Sequence, residues 1–147
     1  AAAGCTISEI FARHGEAAFR DGERRVIQRL LEEPVHVLAT GGGAFMDPAT
    51  RAAIHERGMS LWLRAELDVL VRRVARRTHR PLLNQGDPRE ILTRLMALRY
   101  PVYAEADIVV DSLDAPTETT VDRCMSAILA HVGQLPAEAR HAAGQPT

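Results

Sequence analysis

The chain contains no lysine; all 18 residues counted as Lys+Arg are arginine. A phosphate loop of the form G-x-x-x-x-G-K-[ST] needs a lysine to reach the phosphates, so none exists within these 147 residues. A GC-rich genome would give the same arginine bias. Cysteine is scarce. Cys5 and Cys124 are far apart and form no metal-type spacing, so a reduced, cytoplasmic chain is expected. His14, His36, His55, His79 and His131 are scattered without ligand spacing, and no metal site is assigned. No apolar run is long enough to cross a bilayer. Ala2-Ala3-Gly4-Cys5 faintly resembles a lipoprotein cleavage site, but no hydrophobic region precedes it. An excess of one charge is also lacking. The formal net charge is -1, which excludes an overall basic field for nucleic acid. The first residue is Ala, as expected of a fragment or a processed product.

What is present suits one domain with a core: 46% of residues are hydrophobic and 25% charged. The most informative stretch is V-H-V-L-A-T-G-G-G, Val35 to Gly43. A short apolar, β-branched run bounded by a turn signal reads as a buried parallel strand. Consecutive glycines lose extra backbone entropy on ordering. They make sense where a backbone without Cβ atoms must approach something closely. Ligands of open α/β sheets bind just outside the carboxyl ends of strands, so Gly41, Gly42 and Gly43 read as a ligand turn ahead of a merely flexible loop.

Thr6-Ile7-Ser8-Glu9 is a capping box. It predicts a short helix ending near Gly15 and a longer one from Glu16 to Leu31, with Phe19, Val26, Ile27, Leu30 and Leu31 on its inner side. Pro34 ends that helix, and a strand is expected over Val35–Ala39. Asp47 caps a helix that opens on Pro48 and ends near Gly58. Ser60–Leu63 reads as a strand and Glu66–Arg77 as a helix. Thr78–Pro88 is a loop by its Pro, Gly and Asn content. A helix follows from Arg89 to about Leu98, possible past Pro101. Asp107–Asp111 is a third strand, and Pro116 opens a helix to about Val132. Residues 1–133 are expected as the folded domain and 134–147 as a disordered tail. Strands alternating with helices imply βαβ units and a parallel sheet.

The arginines carry the most chemical information, because a guanidinium pairs bidentately with carboxylate or phosphate. Arg72, Arg73 and Arg76 fit a solvated helix face, and Arg24, Arg25 and Arg29 also read as surface. Arg20 lies in an otherwise apolar stretch with Glu23 three residues on, a spacing at which a carboxylate steadies a guanidinium. Arg99 sits in R-Y-P-V-Y-A-E-A-D, among aromatics and proline, where a helix C-terminal charge is the plainer reading. Arg80 lies in the loop before Pro81. A loop cation that closes over phosphates suits phosphoryl transfer, although taken alone it is an exposed loop arginine.

I-S-E-I-F-A-R-H-G-E-A-A-F-R-D-G-E, A-T-G-G-G-A, R-P-L-L and R-Y-P-V-Y-A-E-A-D, in this order from about Thr6 to Val132, resemble shikimate kinase. The resemblance implies a P-loop-kinase-like (nucleoside monophosphate kinase-like) three-layer α/β/α parallel sheet. It implies ATP-dependent phosphorylation of the shikimate 3-hydroxyl on the route to chorismate and the aromatic amino acids. Arg20, Gly41, Gly42, Gly43 and Arg99 match the shikimate-binding positions, Glu23 the acid that steadies Arg20, and Arg80 the catalytic lid arginine that reaches the ATP phosphates. Arg77 and Pro116 lie where the family contacts adenine. The partners implied are shikimate and ATP with Mg2+, in a cytoplasmic monomer that binds neither nucleic acid nor membrane.

The family's Walker A loop and D-x-D segment have no match here, so its first two strands and its phosphate and Mg2+ ligands are expected to be missing. Strands left without a central neighbour would expose unpaired edges and apolar faces. A marginally stable and catalytically inactive piece is therefore expected. A non-catalytic shikimate-binding pseudokinase module, a related kinase such as gluconate kinase, and one domain of a larger aromatic-pathway fusion are the alternatives.

Overall fold

The computed structural model describes residues 6–77 and 86–142, in two compact units, Ala1–Gly58 and Met59–Thr147. In the first unit the capping box forms as expected. The Thr6 N–H donates to Glu9 Oε2 at 2.6 Å, and the Glu9 N–H to Thr6 Oγ1 at 3.2 Å. Helix α1 spans Ile7–Leu30 and is broken inside by Gly15, whose φ of 79° and ψ of 173° suit only glycine. The two expected helices are therefore its two arms. Ile27 is its buried residue, and Phe11 and Phe19 face each other across the break with ring centroids 4.8 Å apart.

Val35–Ala39 is not a strand. It is an irregular segment that pairs with no strand among the described residues, and Val35 and Val37 are 81% and 97% exposed. The segment is β-branched, but a strand is defined by a ladder, and among the described residues no ladder partner lies beside it. After Gly43 a 3-10 helix covers Ala44–Met46, and α2 spans Pro48–Arg57. Asp47 is the N-cap of α2 and accepts the Ala49 N–H at 2.9 Å. Helix α1 packs on both the 3-10 helix and α2.

In the second unit β1 (Leu61–Arg64) pairs with β2 (Ile108–Asp111) in parallel, Leu61 opposite Ile108 and Arg64 opposite Asp111. A parallel pair needs a crossover. Here α3 (Leu67–Ala75) and α4 (Pro88–Tyr103) supply it and pack together. Ile108 and Val110 are buried while Leu63 and Val109 are half-exposed, leaving apolar surface of the kind expected for a sheet short of neighbours. Asp107 ties the strand starts by accepting from the Ser60 N–H and Oγ at 2.8 and 2.9 Å. At the far end Arg64 grips Asp111 through Nε at 2.7 Å and Nη2 at 3.2 Å, which holds the Asp111 carboxyl below its usual range.

Helix α4 runs through Pro101 to Tyr103, more than four turns beyond its Asp87 cap and further than Leu98. Helix α5 covers Thr117–Gln134, packs on β2 and buries Val132. A short helix, α6, follows over Ala137–Ala142 within the segment expected as a tail. Residues 143–147, Cys5 and most of the loop at 78–88 lie outside the described residues.

Candidate functional site

The glycine turn and α1 meet through one side chain. A Cβ built on Gly43 would lie 2.6 Å from Arg20 Cζ, so the guanidinium occupies the space that a side chain at 43 would need. Gly43 has φ -81° and ψ -21°, an ordinary right-handed conformation. Glycine is required here for room, not for backbone freedom. Gly41 differs, because a Cβ there would meet nothing within 4 Å among the described residues.

Arg20 is held from its own helix. Nη1 donates to Glu23 Oε1 at 2.8 Å, and Nε lies 3.8 Å from Glu16 Oε1. Its guanidinium also stands 5.2 Å from the Phe19 ring centroid. The side chains of Arg20 and Glu23 are 31% and 19% exposed, which leaves guanidinium surface accessible. The expected i,i+3 pair is thus present, and it aims a half-buried cation at a glycine backbone. A cation fixed beside a Cβ-free turn is suited to a carboxylate, which takes two N–H donors from arginine.

Sequence reasoning missed Arg24, read above as surface. It is 36% exposed, and its Nε donates to Asp47 Oδ2 at 2.5 Å, so Asp47 does more than cap α2. The only signal was position, since residues 20 and 24 are one turn apart and share a helix face. The hydrogen bond from Arg24, aided by the Ala49 and Thr50 N–H groups, holds the Asp47 carboxyl below its ordinary value. A carboxyl whose pKa is depressed on folding contributes stability that is complete above its unfolded pKa, about 4, and lost as pH falls through the folded value. Asp47→Asn keeps an N-cap acceptor. It is expected to flatten part of the fall in Tm between about pH 6 and about pH 3. Identical Tm–pH curves for the two chains would contradict this.

Arg99, Arg77 and Pro116 belong to the second unit. Arg99 is half-buried on α4 and makes no ion pair among the described residues. Its neighbours fix the helix beside it. Tyr100 and Tyr103 pack edge-on against Trp62, with centroids 4.8 and 5.7 Å away. The Tyr100 hydroxyl donates to the Ala65 carbonyl at 2.5 Å, and burial pushes its pKa up. Arg77 follows α3 and Pro116 caps α5. The two helix ends are tied together by arginines expected on a solvated face. Arg73 donates to Ser112 Oγ at 2.9 Å and to the Leu113 carbonyl at 3.0 Å, and Arg72 pairs with Asp114 at 3.0 Å. Arg80 lies outside the described residues.

The family model for shikimate kinase matches residues 1–129. The chain belongs to the shikimate kinase family. A shikimate kinase of Paramagnetospirillum magneticum is 60% identical over 132 residues, spanning 90% of this chain and 68% of that protein. A shikimate kinase of Caulobacter vibrioides is 56% identical over 128 residues, 87% of this chain and 64% of its own length. The chain thus spans about two thirds of the curated relatives it matches. Among solved structures, a shikimate kinase from Acinetobacter baumannii in complex with shikimate aligns with a TM-score of 0.79 at 30% identity, covering 92% of this chain and 75% of that one. A shikimate kinase from Bacteroides thetaiotaomicron aligns with a TM-score of 0.76 at 26% identity. The fold class is therefore that of the shikimate kinases, an α/β P-loop-kinase fold with a parallel sheet.

Among the described residues no helix is long and apolar enough to cross a membrane, and no group of three or more His, Cys, Asp or Glu could hold a metal ion.

Proposed function

We propose that these residues serve the ATP-dependent phosphorylation of the shikimate 3-hydroxyl, in a cytoplasmic monomer, and that their own part is to hold shikimate. The observation that carries this is the Arg20 guanidinium seated against Gly43 in a chain whose family is shikimate kinase. Arg20 pairs with the substrate carboxylate, Glu23 keeps the guanidinium turned toward the turn, and Gly41, Gly42 and Gly43 let the substrate ring approach the backbone. Arg99 is a further carboxylate-binding arginine. Arg80 reaches the phosphates, and Arg77 and Pro116 border the adenine.

A sequence without lysine has no P-loop lysine for the phosphates, so the 147-residue chain binds shikimate without turning it over. Equilibrium dialysis of the chain against shikimate and gluconate, with ADP release measured when ATP is added, tests both statements. One bound equivalent of shikimate, no gluconate and no ADP is expected. Gluconate binding in place of shikimate overturns the substrate, and steady ADP release overturns the inactivity.

A further inference from the structure

We propose that Arg24 is a positioning residue for Arg20: with Asp47 it forms a strut that sets where the Arg20 guanidinium meets Gly43. The proposal rests on reading Arg20 as the partner of the shikimate carboxylate. Arg20 and Arg24 lie on one face of α1, separated by about 6 Å of helix rise. Arg20 touches one end of the segment 43–47, and Arg24 holds the other. That segment is wound into a single piece. The Met46 N–H donates to the Gly43 carbonyl at 3.2 Å, and the Asp47 N–H to the Ala44 carbonyl at 3.3 Å. Asp47 is further fixed as the cap of α2. A shift of Asp47 relative to α1 therefore carries Gly43 with it and changes the gap that the Arg20 guanidinium fills.

Arg24 has a choice of carboxylates. Asp21, on its own helix, lies 3.6 Å away, is 43% exposed, and is shared with Arg25. Asp47 is closer, at 2.5 Å, and only 18% exposed, so the link to the turn is the stronger one. Partly exposed ion pairs add little to stability, whereas a misplacement of about 1 Å at a reacting or binding group can cost on the order of 100-fold. The strut is therefore expected to register in binding far more than in melting.

The test is calorimetric titration of shikimate into the full chain and into Arg24→Met, Asp47→Asn, the double variant and Arg24→Lys, with Tm measured for each. Arg24→Met and Asp47→Asn are each expected to weaken shikimate about tenfold. The double variant should be no weaker than either single one, because both break the same link. Arg24→Lys, which still carries a charge to Asp47, should recover most of the loss. Tm should stay within about 3 °C throughout. Full affinity in Arg24→Met, additive losses, or a Tm that falls in step with affinity overturns the proposal while leaving Arg20 as the carboxylate partner. No binding by the unchanged chain overturns that reading and the strut with it.

Discussion

Arg20→Met is expected to weaken shikimate binding about 100-fold, or about 2.7 kcal/mol. A charge-assisted, bidentate carboxylate contact contributes on the order of 1.5–3 kcal/mol by itself. Its removal also leaves Glu23 and Glu16, which lie 2.8 and 3.8 Å from the guanidinium, without their cation and facing an anionic ligand. Repulsion is thus added to the lost attraction. Methionine matches arginine in helix propensity and keeps most of its stem, so α1 should persist and Tm should move by only a few degrees. Arg20→Lys should recover only part of the affinity, because an ammonium lacks the planar fork. Calorimetry on the three chains decides the matter, and an Arg20→Met chain that binds as tightly as its parent would place the carboxylate elsewhere.

Gly43→Ala is expected to cost about 30-fold in shikimate affinity with little change in Tm. The backbone at 43 is right-handed, so alanine is not strained there. The three atoms nearest the added methyl all belong to the guanidinium of Arg20, with Cζ 2.6 Å away. A guanidinium is the far end of a flexible side chain and can swing aside cheaply, which protects the fold and displaces the binding group. Gly41→Ala meets nothing within 4 Å among the described residues. Any loss of affinity there reports on the ligand's own approach to the turn. In Gly43→Ala/Arg20→Met the losses should not add, since the methyl acts only through the arginine. Additive losses would show that Gly43 serves binding by another route.

Punctuation was legible in the sequence. Thr6 with Glu9, Asp47 with Pro48, and the break at Gly15 are local, because a cap or a positive φ is settled within a few residues. Pairing was not. Val35–Ala39 has strand composition but no neighbouring strand among the described residues, and composition cannot supply the neighbour. At the candidate site, Arg20 with Glu23 was legible because three residues of helix bring them together. Arg24 with Asp47 spans 23 positions, and the Arg73 contact with Ser112 spans 39. Such pairs depend on which helix packs on which turn, and surface-like sequences on both sides concealed them.

The most direct measurement compares shikimate with its methyl ester, titrated into the unchanged 147-residue chain. Saturable binding of shikimate at one site, with the ester at least about 30-fold weaker, is the result expected if Arg20 beside Gly43 receives the carboxylate. Equal affinity for acid and ester, or heat from neither, would contradict it.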